Sequence, residues 1–126
     1  MKNVNFLTPW RIFIGISGCF SVLFGAWLAH GGQHLPVDIQ SRLANALQYQ
    51  FIHTLALLAV MVWYSRQPSR RLLAAGASFA LGILCFSGSL YAKTFLDLAA
   101  IGKLAPVGGI LLASGWLLLA LAGKTK

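Results

Sequence analysis

Six residues of this chain combine proton-handling or hydrogen-bonding side chains with apolar surroundings: Tyr49, Gln50, His53, Ser87, Ser89 and Tyr91. Tyr49 precedes His53 by four positions and Gln50 by three, so on a helix the three flank one another. The segment Phe86-Ser87-Gly88-Ser89-Leu90-Tyr91 adds two hydroxyls and a phenol. A serine next to a histidine has the makings of a nucleophile and its base. Here no acid is at hand to orient the imidazole, because the two acids of the chain are Asp38 and Asp97. An intramembrane Ser/His hydrolase therefore ranks third among the readings below.

Metal binding has less support. His30, His34 and His53 are the three histidines, and they form no closely spaced ligand pair with the acids, whereas zinc takes four ligands. Haem clamped between His30 and His53 would need equal depths, and these two differ by about 12 Å. No metal and no cofactor is expected.

The elements that must carry these residues are apolar. Positions 12–29, 43–65, 72–92 and 104–123 contain no charged residue. Each is long enough for a helix to cross a hydrocarbon core, which takes about 20 residues. With 58% hydrophobic and 10% charged residues, the chain departs from soluble usage, in which about 25% are charged. The expected fold is all-α: one integral-membrane domain over 1–126, with spans at about 11–30, 43–65, 72–92 and 104–123 in an up-down-up-down bundle. Leu35, Ile39 and Leu43 recur every four residues, and a helical pattern resumes after Pro36, predicting a short interfacial helix at 37–45 before span two. The second outer loop, 93–103, is apolar enough to lie on the bundle mouth and form a helical turn. The first apolar run exceeds the about 7–15 residues of a signal-peptide core and reads as a retained anchor.

The net charge of +8 does not point to nucleic acid, because the basic residues are scattered over segment ends and build no basic helix face. Lys2, Arg11, Arg66, Arg70, Arg71, Lys124 and Lys126 fall on one side of a four-span topology; Arg42, Lys93 and Lys103 fall on the other. The positive-inside rule then puts both termini in the cytoplasm, in a bacterial inner membrane. Cys19 and Cys85 lie at depths about 9 Å apart and read as apolar filler.

Membrane helices approach through small residues. Ser17, Ser21, Gly25 and Ala29 repeat every four positions in span one, Ala74, Ser78 and Gly82 in span three, and Ala105, Gly109 and Ala113 in span four. These rows are expected to face the interior or a partner subunit. The polar side chains of the spans gather in the outer half, where His53 is about 12 Å deep. His30, Tyr49, Gln50, His53, Ser87, Ser89, Tyr91 and Pro106 form the expected polar cluster or ligand pocket. It serves either to hold helices in register or as a site for protons or a small molecule.

Gly25-Ala26-x-x-Ala29-His30, Tyr49-Gln50-x-x-His53-Thr54-Leu55-Ala56-Leu57-Leu58, Phe86-Ser87-Gly88-Ser89-Leu90-Tyr91, Pro106-Val107-Gly108-Gly109 and Gly115-Trp116 form an ordered set along the chain. The set resembles the domain-of-unknown-function 423 family, whose animal members are called transmembrane protein 256. The resemblance implies a small multi-pass membrane protein with no established biochemical activity. Two positions depart from it: Trp27-Leu28 stands where Phe-Gly is usual, and Ala105 where Thr is usual. The second removes a hydroxyl from the start of span four.

The expected role is a non-enzymatic accessory or scaffold protein, surrounded by membrane lipids and packed with itself or in a larger membrane complex. The alternative is a binder of a lipid, quinone-like or other amphiphilic molecule, with His53 as its polar contact. The charge bias makes one direct prediction. A fluorescent protein fused after Lys126 will fluoresce, and alkaline phosphatase fused there will be inactive; the reverse pattern would invert the topology.

Overall fold

The computed structural model describes residues 4–123; Lys2, Lys124 and Lys126, which enter the charge count above, lie outside them. Helix α1 runs Val4–His30, α2 Val37–Arg66, α3 Arg70–Ile83, α4 Ser89–Phe95 and α5 Leu104–Ala122. A π-helical turn, Leu84–Gly88, joins α3 to α4 without a break, so the two make one span. Short 3-10 turns cover Gly32–His34 and Ala99–Lys103. No strand occurs among the described residues, and four helices there are long and apolar enough to cross a membrane: Asn5–His30, Val37–Arg66, Arg70–Phe95 and Ala99–Ala122.

The separate interfacial helix expected before span two is not there. Residues 37–45 are the opening turns of α2, which is 30 residues long and therefore about 45 Å. The reason is local: Pro36 occupies the N-cap, and no proline or glycine follows until Pro68. Nothing bends the chain where the membrane surface was expected to. Gln40 fastens the preceding loop, donating through Nε2 to Leu35 O at 2.7 Å and to Gln33 O at 3.0 Å. The loop between α4 and the Ala99–Lys103 turn holds Asp97 at φ 55°, a left-handed conformation that a short polar side chain tolerates.

The bundle is graded by hydropathy. The most apolar windows of the first and fourth spans have mean hydropathy 2.0 and are 11% and 17% buried; those of the second and third have 1.4 and 1.7 and are 39% and 44% buried. In lipid this is the favourable order, since the hydrocarbon solvates apolar side chains and leaves polar ones to seek partners inside. The core holds Leu57, Val60, Met61, Leu72, Phe79, Ile83, Leu112 and Ala122.

Glycines set the close approaches. A Cβ at Gly115 would fall 2.6 Å from the Phe79 ring, one at Gly82 2.7 Å from Leu112 Cγ, and one at Gly76 2.7 Å from Met61 Cε. Gly108 is the tightest: its Cβ would lie 2.7 Å from Cys85 C and overlap the Phe86 backbone nitrogen. Span four thus meets the π turn backbone to backbone. The row that carries this contact is Gly108, Leu112 and Gly115, all buried, one position before the Gly109–Ala113 row. Gly109 has open space beside it, and Ala113 is exposed. In span three Gly82 is buried, Ser78 half-buried and Ala74 exposed, while Ala75 and Gly76 take the interior. In span one Ser17 and Ser21 are buried, Gly25 is half-buried and Ala29 exposed.

Gly108→Ala and Gly109→Ala should separate these rows in thermal unfolding in detergent. The first drives a methyl into backbone that cannot yield and should destabilise by about 1–3 kcal/mol. The second meets nothing and should stabilise by up to about 1 kcal/mol through helix propensity.

Candidate functional site

The polar side chains of α2 divide by helical phase. Gln50 and Thr54, four apart, turn toward α1, while Tyr49 and His53, also four apart, turn toward the π turn and α5.

On the first side Gln50 is the hub. Its Oε1 accepts from Tyr91 Oη at 2.7 Å, and its Nε2 donates to Ser17 Oγ at 3.0 Å. Ser17 Oγ also shares a hydrogen bond of 2.7 Å with Thr54 Oγ1, and Ser21 Oγ donates to Ser17 O at 2.8 Å. One connected network therefore ties α1, α2 and α4 together. Gln50, Ser17, Ser21 and Thr54 are all nearly excluded from the exterior. Tyr91 is held from outside by rings, with Phe20 at 5.5 Å and Phe24 at 5.2 Å edge to face.

On the second side His53 is fully engaged. Its Nδ1 lies 2.7 Å from Tyr49 O, and Trp116 Nε1 donates to its Nε2 at 2.9 Å. A carbonyl only accepts and an indole N–H only donates, so this pairing fixes the neutral imidazole with its proton on Nδ1. The lone pair a general base would use is occupied by Trp116. Phe79 and Trp116 pack on the ring at centroid distances of 5.6 and 5.7 Å.

The remaining hydroxyls turn to backbone. Ser87 Oγ donates to Ala46 O at 2.6 Å, crossing from the π turn to α2, and Ser89 Oγ donates to Phe86 O at 3.0 Å. His53 makes no hydrogen bond to Gln50, Ser87, Ser89 or Tyr91. His30 is exposed at the end of α1, and Pro106 is exposed in the first turn of α5; neither joins a network among the described residues. No group of three or more His, Cys, Asp or Glu among the described residues could hold a metal ion.

Two open grooves border these networks. One of about 270 Å³ exposes Ser17, Gln50 and Tyr91 between Phe13, Ile16 and Phe20 of α1 and the third span. The other, about 550 Å³, lies between α2 and α5, with Tyr49 and His53 on one wall and Gly109, Ala113 and Trp116 on the other. The small pair that carries no internal packing thus makes room for this groove. Sequence reasoning left Thr54 and Trp116 out of the cluster and read Ser17 and Ser21 only as small packing residues. Trp116 carried a signal, since an indole N–H inside a bilayer needs an acceptor, and His53 is a ring acceptor deep in the second span.

These features define a small integral-membrane protein of four apolar helices pinned by buried hydrogen bonds. The chain belongs to the family described as Protein of unknown function (DUF423), whose model matches residues 24–109. It is 40% identical over 121 residues to a UPF0382 membrane protein of Haemophilus influenzae, covering 95% of this chain and 93% of the relative. It is 35% identical to the UPF0382 inner membrane protein YgdD of Escherichia coli, over 86% of this chain and 83% of that one. A UPF0382 membrane protein of Staphylococcus aureus is 36% identical, over 89% and 94%. No solved structure matches the chain.

The hub has a direct test in a double-mutant cycle of Gln50→Leu and Tyr91→Phe, read as thermal or denaturant stability in detergent. Tyr91→Phe should cost about 0.6–1.7 kcal/mol. Gln50→Leu should cost about 1–3 kcal/mol, because Ser17 and Tyr91 lose their partner. The double variant should be less destabilised than the sum, and strict additivity would break the assignment of one network.

Proposed function

We propose that this chain is a non-enzymatic accessory or scaffold subunit of the bacterial inner membrane, packing with itself or within a larger membrane complex. One observation carries this reading: among the described residues, no buried side-chain N or O atom lacks a hydrogen-bond partner. A catalytic or proton-carrying group keeps an atom available for its substrate; here His53, Gln50 and Ser87 spend theirs on neighbouring helices, and Ser89 spends its own on the Phe86 carbonyl of its own span. The networks stiffen the inner helices, while the first and fourth spans keep most of their surface for lipid or protein. The location draws support from the relatives, of which that of Escherichia coli carries the name inner membrane protein.

The topology proposed with it is up-down-up-down with both termini in the cytoplasm. Its support is the order of contacts: Phe86 with Gly108, Gly82 with Leu112 and Phe79 with Gly115 run in opposite directions along spans three and four. Ser17 with Thr54 and Gly25 with Leu47 do the same along spans one and two.

The groove of about 270 Å³ beside Gln50 and Tyr91 favours a second reading, a binder of an amphiphilic molecule. Its polar floor and aromatic walls suit a ligand with one polar end and an apolar body. Mild extraction of the natively expressed protein, followed by mass spectrometry, divides the two. The accessory role predicts stoichiometric protein or self-association that survives Tyr91→Phe. A stoichiometric small molecule, lost on Tyr91→Phe, would replace it with the binder.

A further inference from the structure

At the end of the bundle opposite the Gly32–His34 turn, a cavity of about 410 Å³ opens where α2 stops, α3 starts and α5 ends. Its walls are two-natured. Trp63, Leu72 and Ala122 form the apolar part, and Gln67, Ser69 and Arg70 the polar rim.

The rim holds donors without internal acceptors. Ser69 Oγ accepts from Leu72 N at 3.1 Å to cap α3, which leaves its O–H to donate. Gln67 Oε1 accepts from Trp63 Nε1 at 3.2 Å, which leaves its NH2 to donate. Arg70 is exposed and its guanidinium makes no hydrogen bond among the described residues; Arg66, which ends α2 just outside the rim, is likewise exposed and without a hydrogen bond among them. Arg71 differs, since it is already engaged with Leu121 O at 2.8 Å. No acid offsets these charges: Asp38 and Asp97, the two acids of the chain, sit in the first turn of α2 and just after α4, at the other end of the bundle.

We propose that this cavity binds an anionic phospholipid. The phosphodiester takes the donors of Gln67, Ser69 and Arg70, with Arg66, the residue before Gln67, adding positive charge beside the rim, and an acyl chain lies along Trp63, Leu72 and Ala122. Charge complementarity selects the anion, because a rim of donors and guanidiniums leaves an oxyanion as its natural complement. The apolar wall selects a lipid over a free anion, since a phosphate alone would leave Trp63 and Leu72 uncovered. A zwitterionic lipid would bring its own cation to the guanidiniums and lose most of the attraction. This site goes beyond the accessory role and stands whether or not that role holds.

The test is native mass spectrometry of the full chain in detergent, titrated with phosphatidylglycerol or with phosphatidylcholine of the same acyl chains. Phosphatidylglycerol should bind with a preference of about fivefold or more, as expected per basic residue near a charged headgroup. Arg66→Gln/Arg70→Gln should abolish the preference, with unchanged thermal unfolding because neither side chain has an internal bond. Lys93→Gln/Lys103→Gln, which removes the same charge at the other end, should keep it. Inorganic phosphate should displace the lipid no better than chloride at equal ionic strength. Equal binding of the two lipids, equal loss in both double variants, or specific displacement by phosphate would each overturn the assignment.

Discussion

A primary amide inside a bilayer cannot turn to water, and Gln50 is such a group near the middle of the most polar span. Leaving it unpaired in hydrocarbon would cost several kcal/mol, so its position dictates what surrounds it. Tyr91 supplies the donor for its oxygen and Ser17 the acceptor for its nitrogen. Those two come from the third and first spans. One side chain on α2 therefore fixes the rotation of two neighbours, and the hydroxyls of Thr54 and Ser21 complete the chain of partners.

The fourth span is placed by other means. Its helix α5 has no hydrogen-bonding side chain except Ser114 and Trp116, and it approaches through absent side chains. Gly108 lets its backbone rest on the π turn, while Gly115 receives the Phe79 ring. Once seated, Trp116 reaches His53. The π turn matters to both halves, since Ser87 leaves it to reach Ala46 O on α2 while its opposite surface receives Gly108. A single irregularity in span three thus couples the polar side of the bundle to the glycine side.

The bundle is held together from within. Its polar atoms are consumed in holding helices, and its grooves open sideways between helices. The surfaces left over are the apolar faces of the outer spans and the basic end around Arg66 and Arg70.

The four uncharged runs were sufficient to read the spanning helices, because hydrocarbon forbids unpaired backbone and leaves a helix as the solution for each run. The ordered motifs were sufficient to place the chain in its family. Which polar residues would have to be satisfied was also legible: Gln50, His53, Ser87, Ser89 and Tyr91 could not be left bare. Who satisfies them was not. Gln50 and His53, three positions apart, looked like neighbours on one face, yet the angle between them is enough for α1 to claim one and α5 the other. The shift from the Gly109 row to Gly108 has the same origin. Periodicity fixes a face only to within the width of a side chain. The rotation of each helix about its axis is decided by the neighbours it meets, and only the folded bundle brings those together.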